Sequence, residues 1–496
     1  MNPFQRKALY TAVAGLTGLG AATAANAVNL NPGGLGQVLL YPYYTTRADS
    51  HGNTFNSLLY VVNATPSVKA VKVRFLEGKD SREVLDFNLF LSAYDVWTAG
   101  IIPDNTTGAG ELVTFDKSCT IPPIPAGGKD FVNFAYVGSA ADGADPSLDR
   151  TREGYVELIE MATYTVTSTV GVAATHVSGV PPCTTGPLTT LAAIRGNTPQ
   201  GGLFGGMTLI NVDAGTDYTE DAVAIDNFST IPQFFAAGSI NPNLNNAHTG
   251  FNGGFVFATS VVLANNAVYQ SMWGPGAVTP FAPTAPVDAV SAVIMHDQVL
   301  NEFVLDTGTN SGTDWVVTFP TKRFYINANP PTGNTGPAIY LFQRNFNGNA
   351  GSCDDVSLEL FDREEFRAQG SFSPPPPSAT NSLCWEANVI TFNNSQVLGS
   401  KNNLNVPTTF QDGWMNLGFF PSSVTGTIHR LINQSNTAIT TIGGVTTTGN
   451  STTYNGLPVI GFEVESFSNN TLIVGGVNVL SSYGGNFIHK TTTSVQ

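Results

Sequence analysis

The sequence predicts a mainly β fold, with β-sandwich-like domains and a few short helices in the middle region. Charged residues make up 11% of the 496 residues, whereas ordinary soluble domains contain about 25%. Helix surfaces usually draw on Lys, Glu and Arg, so this shortage favours strands and loops. Period-two alternation in the first third and an even number of cysteines point to the same β-rich architecture, held by disulfides.

The clearest strand pattern lies in the first third of the chain. Apolar residues alternate with basic residues over 71–75, and a second alternating run covers 85–91. The polar turn at 78–81 between them predicts a β-hairpin. Further strands are predicted at 57–63 and 94–98, and several short strands joined by turns are typical of a sandwich.

The middle of the chain predicts the helices. Residues 221–235 and 287–303 are the best candidates. In the second segment the apolar residues lie roughly on one helical face, and Asp288 is suited to cap its N-terminus. Residues 155–161 fit either a strand or a short helix, and periodicity does not decide between them.

The last third returns to strands that are short and rich in aromatic or β-branched residues. Residues 374–377 form a stiff polyproline stretch without amide donors. Residues 438–455 are rich in Thr and Gly and predict a long polar loop or hairpin tip. The predicted strands are residues 315–319, 387–392, 414–420 and 459–467.

The first segment predicts export. Arg6 and Lys7 precede a soft apolar run over 8–24, and Ala25-Asn26-Ala27 forms a small-residue cleavage pattern before Val28. The alternative is an amphipathic N-terminal helix of a cytosolic protein. We expect an extracytoplasmic protein, secreted or at the cell surface, with the periplasm also possible, and no membrane-spanning helix after cleavage.

Removal of the first 27 of 496 residues leaves a mature chain of 469 residues, which suggests two or three domains. The predicted division is a signal peptide over 1–27, an N-terminal β-sandwich-like domain over 28–125, a mixed, mainly β region with helices over 126–310, and a C-terminal β-rich domain over 311–496.

The charge balance excludes nucleic acid as a partner. The formal net charge of −15 becomes −17 once Arg6 and Lys7 are removed. Binding to phosphates requires an excess of Lys and Arg, which this chain lacks. An acidic surface permits divalent cations, although acidity is also a common means of keeping a protein soluble.

The four cysteines predict two disulfides in an exported chain. Of the three possible pairings, Cys119–Cys183 and Cys353–Cys384 are preferred because they close loops of 64 and 31 positions within single predicted domains. A metal site is the alternative, but the spacings contain no Cys-x-x-Cys pair.

Local motifs predict no catalytic residue and no cofactor-binding residue. The chain lacks Gly-x-Ser-x-Gly, a phosphate-binding loop and a His-x-x-x-His pair. The adjacent His296 and Asp297 would point to different faces of the candidate helix. Two glutamate pairs, Glu157 with Glu160 and Glu463 with Glu465, could serve a glycosidase, but a solvated strand face is favoured for both.

Calcium is the one metal for which the sequence offers candidate ligands. Asp142, Asp145 and Asp149 place three carboxylates in a glycine-containing loop, and calcium favours oxygen ligands at flexible spacing. An ordinary acidic turn is the alternative, because the loop does not fit the helix–loop–helix pattern. A second acidic loop contains Asp213, Asp217, Glu220 and Asp221.

Several segments together resemble a group of uncharacterised secreted or cell-surface proteins of Gram-negative bacteria. The resemblance covers most of the mature chain and implies export and a surface location, with no catalytic residue to carry over. The segments are residues 71–78, 81–88, 94–98, 152–157, 313–323 and 384–388.

The function predicted first is a non-enzymatic surface protein, structural or adhesive, as part of a surface layer or extracellular matrix. Its partners would be further copies of itself or cell-surface polysaccharide. A secreted hydrolase or carbohydrate-binding protein is the second prediction, and an outer-membrane β-barrel is the third. In the second, a sugar cleft could be lined by tryptophans, although tryptophan in a β protein more often lies in the core. The five tryptophans are Trp97, Trp273, Trp315, Trp385 and Trp414.

Overall fold

The computed structural model shows a mainly β protein, as predicted, with 49% of the chain in strands. None of its helices within the described residues is long and apolar enough to cross a membrane. The structure describes residues 26–190, 196–252, 254–274, 285–326, 341–342, 344–367, 381–419, 429–433, 438–442, 445–449, 452–468, 473–478 and 481–496.

The N-terminal half contains strands β1 to β13 and two short helices. The strands are β1 (Asn29–Leu30), β2 (Val38–Thr45), β3 (Asn56–Asn63), β4 (Val68–Glu77), β5 (Glu83–Leu91), β6 (Val96–Pro103), β7 (Gly110–Val113), β8 (Cys119–Ile121), β9 (Lys129–Asp130), β10 (Glu153–Tyr164), β11 (Leu203–Asn211), β12 (Thr216–Asp221) and β13 (Val223–Asp226). The helices are α1 (Thr169–Ala174) and α2 (Thr185–Thr189).

The C-terminal half contains strands β14 to β35 and two further short helices, α3 (Val287–Val293) and α4 (Arg323–Ile326). The strands are β14 (Gly250–Asn252), β15 (Phe255–Ala264), β16 (Ala267–Trp273), β17 (Met295–His296), β18 (Gln298–Val304), β19 (Ser311–Thr318), β20 (Asp354–Asp362), β21 (Asn381–Leu383), β22 (Ala387–Phe392), β23 (Asn403–Val406), β24 (Asp412–Gly418), β25 (Arg430–Asn433), β26 (Ala438–Ile442), β27 (Val445–Gly449), β28 (Thr452–Asn455), β29 (Leu457–Pro458), β30 (Ile460–Ser468), β31 (Ile473–Val474), β32 (Val477–Asn478), β33 (Ser482–Ile488), β34 (Lys490–Thr492) and β35 (Ser494–Val495).

Two antiparallel sheets dominate the N-terminal half. One runs β1-β13-β2-β10-β4-β5-β8 and the other β12-β11-β3-β6-β7-β9. The predicted hairpin is confirmed as β4 and β5, with Val73 opposite Phe87. Both of these residues belong to a hydrophobic cluster that draws on strands of both sheets. The domain boundaries remain predictions, and strands from both sides of residue 125 share each of these two sheets.

The C-terminal half positions the site described below. One sheet runs β23-β22-β19-β30-β33 and a second runs β21-β20-β24-β18-β34. Trp315, Phe303 and Leu417 lie in a second large hydrophobic cluster that also includes Val38 and Leu40 of β2. The sheets adopt a five-bladed, propeller-like arrangement, so the predicted β-sandwich arrangement is not confirmed. Alternation within single strands indicates which faces are buried, but it does not say which sheets pack together.

The two helix predictions need correction. Residues 221–235 form no helix, because their first part completes β12 and contributes β13. Residues 287–303 are helical only over α3, after which the chain forms β17 and β18. Val299 and Phe303, which are both buried, lie four residues apart. That spacing places side chains on one face of a helix and equally on one face of a strand.

Both preferred cysteine pairings are present at disulfide distance, with Sγ–Sγ separations of 2.11 Å for Cys119–Cys183 and 2.04 Å for Cys353–Cys384. The first ties β8 to the segment between α1 and α2. The second ties the residues before β20 to those after β21. Each disulfide therefore fixes an edge strand of its sheet.

Candidate functional site

A pocket of about 350 Å³ lies where loops of the N-terminal sheets meet the C-terminal sheet that contains β19, β30 and β33. Small-molecule sites commonly occupy about 300–1,000 Å³. The lining is rich in hydroxyl groups. Its six serines are Ser50, Ser311, Ser395, Ser466, Ser468 and Ser482.

One wall is the loop between β2 and β3, which Asp49 holds in shape. The Asp49 carboxylate accepts hydrogen bonds from the backbone N–H groups of His51 and Asn53, both at 2.9 Å. It also accepts one from the Asn211 side chain at 3.2 Å. The Ser50 N–H donates to the backbone carbonyl of Gln396, in the loop after β22, at 3.2 Å. These hydrogen bonds hold the backbone of this wall in place.

The opposite wall is formed by three neighbouring strands, β19, β30 and β33. Ser468 of β30 lies opposite Ser482 of β33, and Gly312 of β19 lies opposite Ser466. A Cβ at Gly312 would approach the Ser395 Cβ to 2.7 Å. Glycine is therefore required at this position for the loop after β22 to reach the pocket.

Two aromatic side chains, Phe55 and Tyr218, lie at the base of the pocket. Both are 1% exposed and their ring centroids are 6.2 Å apart. Burial raises the pKa of Tyr218, while the hydroxyls of Ser466 and Thr216 oppose this rise. The phenol oxygen makes no protein hydrogen bond within 3.5 Å among the described residues.

Two carboxylates, those of Asp49 and Asp213, line the pocket, and no lysine or arginine joins them among its described lining residues. Asp213 is exposed at the rim. An anionic ligand would meet two like charges here without a cation to offset them. The pocket is therefore suited to neutral or positively charged ligands.

The neighbouring Asp49, Ser50 and His51 do not form a catalytic triad. The Ser50 Oγ lies 3.5 Å from the His51 Nδ1, beyond the range of about 2.6–3.2 Å for a nucleophile and its base. Asp49 accepts from the His51 backbone rather than its ring. This geometry suits binding and does not activate the serine.

The structure does not bring the predicted calcium ligands together. Hydrogen bonds from Arg150 lower the pKa of Asp142 although burial opposes them, and the Arg150–Asp142 distance is 2.6 Å. Asp149 pairs with Arg47, also at 2.6 Å. Asp145 accepts from Ser147. In the part of the chain that the structure describes, no group of three His, Cys, Asp or Glu residues could hold a metal ion.

The structure also separates the carboxylates of the second acidic loop. Asp213 lines the pocket, while Asp217 and Asp221 are exposed on β12. Glu220 is buried, and this burial, together with the nearby Asp221, raises its pKa to about 7. The Asn486 side chain of β33 donates to the Glu220 carboxylate at 3.3 Å. These residues join β12 to β33.

The preferred interpretation of the two glutamate pairs as solvated strand faces is wrong. Glu157 and Glu160 are at most 1% exposed and form salt bridges at 2.7 Å with Arg74 and Lys69, respectively. The second pair is also buried, at 0% and 6% exposure. It forms no salt bridge among the described residues.

The remaining candidates lie away from the pocket. His296 belongs to a strand rather than a helix, and its ring lies 3.1 Å from the Thr493 hydroxyl. None of the five tryptophans lines the pocket. Trp97, Trp273 and Trp315 are fully buried in the core, Trp385 lies beneath Lys79, and Trp414 stacks on Phe361.

Sequence reasoning missed the pocket residues because they come from six separate segments without a local motif. The shortage of charge is the one signal that pointed to a hydroxyl-rich surface. No known protein family, curated protein or solved structure matches the chain. The resemblance to secreted and cell-surface proteins therefore stays a prediction. The signal peptide also stays one, since residues 1–25 lie outside the described part, as does the polyproline stretch.

Proposed function

We propose that this protein is an exported, non-enzymatic surface protein of the adhesive kind, whose pocket holds a neutral or amine-bearing sugar. The observation that carries the proposal is the pocket lining of six serine hydroxyls and two carboxylates. Hydroxyls both donate and accept hydrogen bonds, as sugar hydroxyls do, so the two surfaces are complementary. The Phe55 and Tyr218 rings add an apolar base beneath them.

Two features support the extracytoplasmic and non-enzymatic parts of the proposal. Two disulfides are typical of proteins that fold in oxidising compartments. The Ser50–His51 separation of 3.5 Å and the hydrogen bonds of Asp49 to backbone amides leave Ser50 without a closely placed, oriented base. Recognition of a sugar without its cleavage is the chemistry that this geometry favours.

The test is calorimetric titration with three oligosaccharides: maltotetraose as neutral, chitosan tetramer as cationic and trigalacturonate as acidic. We expect one site that takes the first two and rejects the third. Ser466→Ala and Asp213→Asn should each weaken binding, about 3- to 10-fold for a lost hydrogen bond to the ligand.

Ser139→Ala is the matched control, because Ser139 is exposed and does not line the pocket. It should bind as the wild type does. Absence of binding to all three oligosaccharides, or binding that neither pocket variant weakens, would overturn the proposal.

A further inference from the structure

Glu463 and Glu465 form a pair of carboxylic acids enclosed between the two C-terminal sheets. They lie on β30 opposite Trp315 and Thr313 of β19, on the face that meets β18. Glu463 is 0% exposed. Neither of its carboxyl oxygens has a hydrogen-bond partner among the described residues, and no salt bridge there includes either glutamate.

The groups that face this pair provide no counter-charge. Glu302 of β18 adds a third carboxylate. The His489 ring lies 2.9 Å from the Val316 carbonyl, and its burial lowers its pKa to about 4, so it is neutral near pH 7. Lys490 is exposed, and its ammonium contacts a backbone carbonyl. From β19 the neighbours are Thr313 and Trp315, which do not titrate in this range.

An ionised Glu463 would therefore be a buried charge without a partner, which is costly in a protein interior. Burial, with the neighbouring Glu465 and Glu302, raises the pKa of Glu463 to about 10. Burial and Glu302 raise the pKa of Glu465 to about 7. The folded protein thus keeps Glu463 protonated at neutral pH.

Strands β19, β30 and β33 also carry one wall of the pocket. Ser466 and Ser468 of this wall follow Glu465 on β30. They lie on the face of the strand opposite to the two glutamates, because successive side chains alternate between the faces. Glu465 lies opposite Gly485 of β33, and Ser468 lies opposite Ser482 three residues further along. Any separation of β30 from β33 at the glutamates would displace this wall directly.

We propose that protonation of Glu463 and Glu465 holds β30 and β33 together and thereby keeps the pocket formed. The pH would then regulate the pocket. The inference rests on the proposed function for the meaning of the pocket. The mechanism itself concerns the two strands, and it is tested without any ligand.

The experiment is amide hydrogen exchange over β30 and β33 at pH 6, 7 and 8, corrected for the intrinsic exchange rate. Opening would release one proton from Glu463 and, below about pH 7, a second from Glu465. The opening constant of the wild type should therefore rise at least about tenfold per pH unit, and more steeply below pH 7 than above it. The Glu463→Gln, Glu465→Gln double variant cannot ionise and should show a nearly flat profile. Glu302→Gln should make the rise level off at a lower pH, because removal of the repelling charge lowers the pKa of both glutamates in the folded state.

The matched control is Glu364→Gln, an exposed glutamate before the Phe366 turn, which should behave as the wild type does. A flat wild-type profile, or an equal rise in the double variant, would overturn the inference. A pH-dependent profile without sugar binding would reject only the proposed function. Sugar binding with a flat profile would reject only this inference.

Discussion

Buried carboxylates behave in opposite ways in two regions of the molecule. Around β4 and β10, in the N-terminal half, they are paired: Lys69 with Glu160 at 2.7 Å, and Arg150 with Glu77 at 2.6 Å. On β30, in the C-terminal half, Glu463 has no cationic partner among the described residues. The difference teaches that burial of a strand glutamate is compatible with either charge state, and that the partner decides which one the fold retains.

The comparison predicts opposite responses to pH. Hydrogen bonds from arginines lower the pKa values of Asp142 and Asp149 despite their burial. Their contribution to stability is present above the ordinary pKa of 3.8 and is lost as pH falls through the lowered values. The contribution of Glu463, whose pKa is raised from 4.5, is fully present below 4.5 and is lost as pH rises towards 10. The paired carboxylates of the N-terminal half should therefore limit stability in acid, and Glu463 should limit it in alkali.

Removal of a buried cation should give the largest effect. Arg150 is fully buried and contacts both Glu77 and Asp142. Arg150→Met leaves two buried carboxylates uncompensated and should lower the free energy of unfolding by about 3–5 kcal/mol, measured by urea denaturation at pH 7. Arg363→Ala, which breaks an exposed pair, should change it little. Equal losses of unfolding free energy in the two variants would contradict the role given to the buried cation.

Loss of either disulfide should come next. Cys119–Cys183 closes 64 positions and Cys353–Cys384 closes 31, so each should contribute about 3–4 kcal/mol by constraining the unfolded chain. The double serine variant of each pair should unfold at correspondingly lower urea. Because this effect does not depend on ionisation, it should be the same at pH 5 and pH 8; a pH-dependent loss would contradict the separation of the two kinds of stabilisation.

The effect of Glu463 should appear in the pH dependence of the free energy of unfolding, rather than as a loss of stability at one pH. Between pH 5 and pH 9 the wild type should lose about 1.4 kcal/mol per pH unit for each proton that unfolding releases. Glu463→Gln should remove the part of this slope that Glu463 causes, and it should be more stable than the wild type at pH 8. Urea denaturation across this range measures it. Glu160→Gln, at a paired position, should instead destabilise.

Strand patterns could be predicted where neighbours along the chain decide them. The hairpin of β4 and β5 follows from alternation alone, and β22 was predicted with its observed bounds. Alternation also suggested that the basic residues of β4 face solvent. However, β4 is central, between β10 and β5, and is buried throughout. The sequence shows no sign of this, because Lys69 and Glu160 are 91 positions apart.

The site was beyond prediction for a related reason. Its walls join the loop after β2, the start of β12 and four C-terminal segments, and each contributes only one or a few hydroxyl or carboxyl groups. Nothing local distinguishes Ser395 from the many other serines of the chain. Conversely, the loop that begins at Asp142 has the local composition of a calcium site. Arginines pair with its carboxylates instead, and one of these is Arg47, which is distant in sequence and pairs with Asp149. Long-range contacts decided both outcomes.

The most direct test of the contrast is the number of protons released on unfolding at pH 8, measured in weakly buffered solution with the disulfides intact. Glu463 is protonated in the folded state and ionised in the unfolded state at this pH. The wild type should therefore release about one proton more than Glu463→Gln. Equal release by the two proteins would show that Glu463 is already ionised in the fold, and would contradict the account.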